Sequence, residues 1–231
     1  MKNGEYKVKR NKHNATLIWS MLIIICLPIV ILLTVVQINA FNEEFYMTEY
    51  KKYNISSVTG MEFQDLNRVT TKLINYINDD EDNLKIYAKI QGEKREVFGQ
   101  REKQHMVDVK KLFQKGFSVR NFSLSMVILA LSMLSVTQKD MYKSIFYSSL
   151  LALIVTVSLI ILIKIDFYKY FTYFHEVFFN NDLWLLDPRT DVLINMLPLE
   201  FFIDITSKIG SWFLAIQIIM FTLSLTILKK D

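Results

Sequence analysis

The stretch ATLIWSMLIIICLPIVILLTVVQ, residues 15–37, decides the fold class, because it contains no charged side chain. An α-helix rises about 1.5 Å per residue, so roughly 20 apolar residues cross a hydrocarbon core about 30 Å thick. The stretch is long enough to do this, and we predict a membrane-spanning helix. Pro28 lies within it and predicts a kink that neighbouring helices accommodate.

Three further apolar runs follow, and the four together predict a mainly α-helical protein, a polytopic four-helix transmembrane bundle. The runs are NFSLSMVILALSMLSVTQ (121–138), SIFYSSLLALIVTVSLIILIKI (144–165) and IGSWFLAIQIIMFTLSLTIL (209–228). Hydrophobic residues make up 52% of the chain and charged residues 22%. This combination indicates apolar runs separated by polar blocks rather than one mixed soluble domain.

Basic residues predict the orientation of the spans. They cluster in three short segments that a four-span arrangement places on one side of the membrane, and the positive-inside rule makes that side cytoplasmic. Both termini are then cytoplasmic. The residues are Lys2, Lys7, Lys9, Arg10 and Lys12 in the tail, Lys139 and Lys143 between the second and third spans, and Lys229 and Lys230 at the end.

The predicted division of the chain follows from these spans. The first span has features of a signal peptide, but its apolar stretch is longer than a typical h-region, so we expect it to be retained. The predicted segments are a cytoplasmic tail 1–14, spans 15–38, 121–137, 144–165 and 209–228, extracytoplasmic segments 39–120 and 166–208, and cytoplasmic residues 138–143 and 229–231.

Several function classes lack support in the sequence. Cys26 is the only cysteine and lies within the first span, so neither an intrachain disulfide nor an outer thiol nucleophile is expected. The chain contains no HExxH, no GxSxG and no glycine-rich phosphate loop. The basic pI near 8.9 is explained by the cytoplasmic lysines, and we expect no nucleic-acid partner.

The first extracytoplasmic segment is predicted to form a small mixed α/β cap. Apolar residues recur at helical intervals in 61–78, which predicts an amphipathic helix. A solvated turn, DDEDN at 79–83, separates this helix from LKIYAKI at 84–90, which is typical of a strand or hairpin arm. Residues 99–118 return to helical spacing and lead into the second span.

On that last helix, Arg101, His105 and Asp108 lie at i, i+4 and i+7 and share one face. Glu102 precedes His105 by three residues and is also within reach. From spacing alone, a surface helix with i,i+4 ion pairs is the more common explanation. The predicted position of His105, close to the lipid headgroups, makes it a candidate for chemistry.

The second extracytoplasmic segment is rich in aromatic residues, which an ordinary interfacial belt would explain. Such a belt does not explain the acids and amides among them, which need internal partners or a wet cavity. Those polar residues are His175, Glu176, Asn180, Asn181, Asp182, Asp187 and Asp191. His105 and His175 thus fall at one interface, each beside a carboxylate, whereas His13 lies in the tail and is taken as incidental. Two such histidines could act as general base and acid or could ligate a metal.

Two motifs add a family resemblance. REKQHMVDVKKLF (101–113) and HEVFFNNDLWLLDPRTDVLINMLP (175–198) resemble the four-span family of bacterial lipoprotein intramolecular transacylases. The resemblance implies a bacterial plasma-membrane enzyme with its active site on the extracytoplasmic face. Its substrate would be a lipoprotein whose N-terminal cysteine carries an S-diacylglyceryl group and a free α-amine. The sn-2 acyl chain would move to that amine and leave an N-acyl, S-monoacylglyceryl lipoprotein, the lyso form.

The resemblance also implies site residues, because the family's two histidines map onto His105 and His175. One would take a proton from the amine and the other would protonate the departing oxygen or stabilise the oxyanion, with the order left open. The expected supporting residues are Arg101, Glu102, Asp108, Glu176, Asn180, Asn181 and Asp182, with Trp184 in the substrate pocket. We expect membrane lipid as a partner, no cofactor and no metal.

Two alternatives remain open at this point. A non-catalytic membrane subunit could bind a peptide or lipid at the outer leaflet and would tolerate loss of both histidines. A metal-dependent outer-leaflet hydrolase would instead be sensitive to chelation. Intramembrane charge pairs and inverted repeats, which would favour a transporter, are not evident in the sequence.

Overall fold

The computed structural model describes residues 2–135 and 138–230, with side chains for 14–135, 138 and 140–230. The chain is 78% helical and has one two-stranded sheet, which confirms the predicted fold class. The elements are α1 (Lys2–Ala40), α2 (Glu43–Lys52), α3 (Ile55–Thr59), α4 (Phe63–Asn78), β1 (Tyr87–Ile90), β2 (Glu93–Glu96), α5 (Gln100–Leu134), α6 (Gln138–Ile165), α7 (Phe167–Phe178), α8 (Val192–Met196) and α9 (Leu199–Leu228).

Some sequence predictions concern residues outside this description. Val136 and Thr137, which end the predicted second span, are among them, and so are the terminal residues Met1 and Asp231. The side chains of His13, of the basic residues of the tail and of Lys139 also lie outside the described residues.

Four of the described helices are long and apolar enough to cross a membrane, as predicted. They contain the stretches Asn14–Ala40, Gln100–Leu134, Asp140–Ile165 and Leu199–Leu228. Helix α5, at 35 residues, is longer than the roughly 20 residues that a bilayer core requires. All of its charged residues lie between positions 100 and 120, so only its second part, 121–134, has the composition of a membrane-spanning segment.

The chain divides into two compact units. The first, the helical unit, contains residues up to Val36, Phe117–Leu162 and residues from Ile209 onward. Ile23, Ala130 and Leu134 are its most buried apolar cluster and join α1 to α5. Large apolar side chains such as Ile128 and Ile219 are more than half exposed on its outside, an arrangement that suits lipid rather than water.

The second unit, the cap unit, contains Gln37–Gly116 and Ile163–Lys208. Its core includes one face of α4, where Leu66, Val69 and Leu73 are almost fully buried. Their i, i+3 and i+7 spacing places them on one side of the helix and confirms the amphipathic helix predicted there. Helix α4 ends at Asp79, whose φ of 73° is in the left-handed region.

The predicted strand is one arm of a hairpin in the cap unit. Strands β1 and β2 pair antiparallel with Ile90 opposite Glu93. Gln91 and Gly92 form the two-residue loop with φ of 54° and 86°, values typical of a type I′ turn. Gly60 has a φ of 68°, and a Cβ there would lie 2.7 Å from Gln91 Cγ. Glycine at position 60 therefore lets the loop after α3 approach the hairpin closely.

Much of segment 166–208 is helical rather than a simple loop. Helix α7 follows α6 after a single residue, Asp166, whose side chain accepts a hydrogen bond from the Lys169 N–H at 3.0 Å. Helix α9 begins at Leu199, ten residues before the predicted span. The predicted polar residues from Asn180 to Asp191 lie in the non-helical stretch between α7 and α8.

Candidate active site

His105 lies in the second turn of α5 and is buried, with 8% of its surface exposed. Its Nδ1 atom is inaccessible and has no hydrogen-bond partner among the described residues. The ring packs edge to face against Phe179 with 5.3 Å between centroids. Buried polar atoms almost always have a partner, so an unpaired one is a feature that calls for a functional explanation.

His175 lies near the end of α7 and is half-buried among aromatic rings. Trp184 stacks on its imidazole at 4.8 Å between centroids, and Phe171 meets it edge to face at 4.6 Å. His175 Nδ1 lies 2.8 Å from the main-chain oxygen of Phe171. A carbonyl oxygen can only accept, so in the neutral ring the hydrogen resides on Nδ1 and Nε2 is left as a free acceptor.

The fold brings the two histidines together although 70 positions separate them in the sequence. Their ring centroids are 6.1 Å apart, with an angle of 34° between planes. Phe179 contacts both rings, at 5.3 Å from His105 and 5.5 Å from His175. At this spacing, both imidazoles can contact one small reacting group.

Burial keeps both histidines neutral. It is the main reason that the pKa of His105 is lowered to about 4, and the nearby His175 lowers it further while Asp108 opposes the change. Burial also lowers the pKa of His175, and the hydrogen bond that its Nδ1 donates to the Phe171 carbonyl oxygen opposes this change. A neutral imidazole can accept a proton at one nitrogen and donate one from the other, as acid–base catalysis requires.

Three polar contacts hold the segment after α7 against the start of α5. The guanidinium of Arg101 donates to the main-chain oxygen of Asp182. Asn181 Nδ2 donates to Asp108 Oδ2 at 2.9 Å. The third contact comes from Glu102. Arg101, Asp108, Asn181 and Asp182 thus lie around the histidines and join the two sequence motifs to each other.

Glu102 is the most buried of these residues, with 1% of its surface exposed. Its Oε2 accepts from the Gly99 N–H at 2.6 Å and its Oε1 accepts from the Leu193 N–H, also at 2.6 Å. The first contact is the glutamate half of a capping box at the start of α5, and the second caps α8. Burial raises the pKa of the Glu102 carboxyl above its usual value, and the hydrogen bonds from main-chain N–H groups only partly oppose this rise. One carboxylate therefore caps two helices from different motifs.

A comparison with known protein families agrees with the resemblance that the two motifs indicated. The model of a family described as lipoprotein intramolecular transacylase Lit matches residues 21–202, a range that contains both histidines. The chain belongs to the Lit family. Membership in this family makes it an acyltransferase that acts in lipoprotein maturation.

Solved structures of Lit have the same fold. The membrane-integral Lit of Bacillus cereus is 24% identical, with a TM-score of 0.83 over 94% of this chain and 98% of that one. A variant of it with a histidine-to-arginine substitution, also 24% identical, gives a TM-score of 0.79 over 98% and 97%. The likeness shows the shared fold, and the four long apolar helices make this chain a multi-pass membrane protein. No curated protein matches it.

The remaining predicted residues of this Lit-family chain differ in their surroundings. Trp184, predicted for the substrate pocket, stacks on His175. Glu176 and Asn180 are exposed. Asp187 binds Arg189, with 2.7 Å between Oδ2 and a guanidinium nitrogen, and Asp191 accepts from the Asp187 N–H at 2.7 Å. Asp187 and Asp191 therefore shape their own loop.

Phe171 and Phe179, which contact the histidines, were not among the predicted site residues. They precede and follow His175 by four residues, a spacing that places all three on one side of a helix. The spacing was a usable signal, but the abundance of aromatic residues in the segment concealed it. Among the described residues, no group of three or more His, Cys, Asp or Glu is placed to hold a metal ion.

The buried neutral state of His105 predicts a pH-dependent stability. In the unfolded chain a histidine has a pKa near 6.5, whereas the folded value is about 4. Between these values the unfolded chain binds a proton that the folded chain does not, so stability falls as the pH decreases through this window. The slope from this group reaches about 1.4 kcal/mol per pH unit.

Thermal unfolding of the purified protein between about pH 7 and pH 4.5 measures this slope. A His105→Phe variant retains an aromatic ring against Phe179 and is expected to show a shallower pH dependence than the parent. Other groups titrate in the same pH range in both proteins, so their contribution to the pH dependence is absent from the difference between the two curves. Parallel curves for the two proteins would show that the pKa of His105 does not change on folding, and would contradict the lowered value.

Proposed function

We propose that this chain moves the sn-2 acyl chain of an S-diacylglyceryl-cysteine to the α-amine of the same cysteine, giving a lyso-form lipoprotein. The observation that carries the proposal is the convergence of His105 and His175, with 6.1 Å between their ring centroids, in a chain of the Lit family. The pair supplies what the reaction needs, which is one group that takes a proton and one that gives a proton.

The reaction balances without a covalent enzyme intermediate. The amine nitrogen attacks the sn-2 ester carbonyl, the tetrahedral centre collapses, and the bond from that carbon to the glycerol oxygen breaks. One proton leaves the nitrogen and one joins the departing oxygen. Amine and ester belong to one molecule, so holding them in register gives a large effective molarity. An α-amine has a pKa of about 7.7–8.0 and must be deprotonated to attack.

The hydrogen bond of His175 supports its role as the base. With Nδ1 donating to the Phe171 carbonyl at 2.8 Å, the free Nε2 accepts the amine proton and the developing imidazolium remains hydrogen-bonded. His105 then acts as the donor. The Nδ1 atom of His105 is buried without a partner, and a buried N–H group without an acceptor is rarer than a buried acceptor without a donor. This favours the tautomer of His105 that carries its hydrogen on Nε2 and none on Nδ1. This N–H serves the departing oxygen or the oxyanion.

We place the active site on the extracytoplasmic face of the plasma membrane. Residues 39–120 and 166–208 would lie outside, and the termini and residues 138–143 would be cytoplasmic. The clustering of lysines in the short segments supports this orientation. Diacylglyceryl lipoproteins would enter from the membrane, with their ester at the boundary between headgroups and acyl chains.

Production of the chain in a bacterium whose lipoproteins keep a free α-amine tests the proposal. Mass spectrometry of an N-terminal lipopeptide is expected to show an N-acyl, S-monoacylglyceryl form with no change in total mass, because the acyl group only moves. Loss of one acyl chain and release of a fatty acid would indicate a hydrolase instead, and sensitivity to a chelator would identify it as metal-dependent. An unchanged lipopeptide would indicate a binding subunit.

A further inference from the structure

Helix α7 has an apolar face that the described part of the cap unit leaves uncovered. None of its residues is buried. Tyr173, Phe174, Val177 and Phe178 are exposed by 48%, 43%, 73% and 52%. At 100° per residue they occupy one arc of the helix, which we name the bare face of α7. Isolated exposed apolar residues are common, but a contiguous aromatic face marks an interaction surface.

The other sides of α7 are accounted for. Phe171 packs on Phe202 at 4.7 Å between centroids and, with His175, turns toward the cap unit. Lys169 and Glu176 lie on a third, polar side and are exposed. Apart from Tyr168, which is 65% exposed near its start, the helix has a protein-facing side, a polar side and the bare face.

Its connection to α6 fixes how far α7 can be from the membrane. Helix α6 contains a candidate membrane span that extends to Ile165, and α7 begins at Phe167. Consecutive Cα atoms are about 3.8 Å apart, so the start of α7 lies within about 8 Å of the end of that span. A peptide partner would need no such proximity, whereas an interfacial helix requires it.

We propose that the bare face of α7 inserts into the outer leaflet and that α7 lies in the plane of the membrane interface. The side chains of the bare face suit a membrane interface, because Tyr and Phe with flanking lysines anchor proteins at the headgroup level. Lys164 and Lys169 are both exposed and can extend toward lipid phosphates.

The consequence for the site rests on the proposed function. Amphipathic helices of this kind sit about 5–10 Å into the boundary between headgroups and acyl chains. The sn-2 ester lies at the same boundary. Helix α7 would thus hold His175 at the depth of the ester, so a substrate need not leave the membrane to react.

Site-directed fluorescence on the full-length protein in lipid nanodiscs tests the inference. Val177→Cys is made in a Cys26→Ala background and labelled with bimane, and Lys94→Cys on β2, an exposed lysine of the cap unit, serves as the control. The Val177 label is expected to lose at least half of its emission to lipids with a nitroxide near the headgroup. It should also be protected from aqueous iodide, whereas the Lys94 label shows the reverse.

Each alternative has its own outcome. Iodide quenching of the Val177 label as strong as that of the Lys94 label would mean that the face is in water and would overturn the proposal. Protection from iodide without quenching by the lipid nitroxide would mean that a second copy or another protein covers the face, and would also overturn it. Phe178→Cys replaces Val177→Cys if that variant does not fold. The labelling requires no acyl transfer, so a failed activity assay leaves this test intact.

Discussion

Replacement of His175 by alanine is expected to reduce the rate of acyl transfer by about 10²–10⁴-fold, the usual contribution of a positioned acid–base group. The substitution removes Nε2, the nitrogen left free by the hydrogen bond of Nδ1 to Phe171. The same loss is expected for His105→Ala. The measurement is the rate at which the N-acyl, S-monoacylglyceryl form appears in a lipopeptide analysed by mass spectrometry.

Two control variants distinguish loss of the acid–base group from loss of side-chain packing. His175→Phe keeps an aromatic ring between Trp184 and Phe171 but has no base, so it should fold and remain inactive. His13→Ala should retain full activity, since His13 lies in the predicted tail. A His175→Phe enzyme with more than a tenth of the parent rate would refute the two-histidine mechanism.

Replacement of Glu102 by alanine is expected to destabilise the cap unit by about 1–3 kcal/mol. The change leaves the buried Leu193 N–H without a partner and removes the acceptor of the Gly99 N–H. A buried donor left unpaired costs about 1–3 kcal/mol, and the exposed Gly99 can turn to water. Denaturant unfolding measures the loss, and faster hydrogen exchange at Leu193 would locate it.

Glu96→Ala provides the matched control. Glu96 also carries an ion pair in this region, with Lys103 at 3.0 Å, but the two side chains are 33% and 24% exposed. A pair of that kind contributes less than about 1 kcal/mol. Glu102→Gln retains one acceptor oxygen and should fall between the two. Equal destabilisation by Glu96→Ala and Glu102→Ala would show that the two main-chain hydrogen bonds of Glu102 contribute no more to stability than an exposed ion pair does.

The fold class and the main helices could be predicted from the amino-acid sequence alone. The length of the apolar stretch 15–37 and the helical spacing of apolar residues in α4 are properties of neighbouring residues. Hydrophobic burial therefore favours a helix in both places, whatever the distant parts of the chain do. The continuity of residues 99–118 with the second span could be predicted for the same reason. Helix α7 was missed, because aromatic residues on nearly every side conceal its periodicity.

Only the tertiary structure decided how the candidate site is assembled. Glu102 is a plausible partner of His105 by spacing, yet its oxygens bind the main chain at Gly99 and Leu193. The tautomer of His175 depends on the Phe171 carbonyl, and the burial of His105 depends on Phe179. Local periodicity reports which face of a helix is apolar. It carries no information on which distant groups meet that face, such as the Leu193 N–H that binds Glu102 or the Phe179 ring that packs on His105.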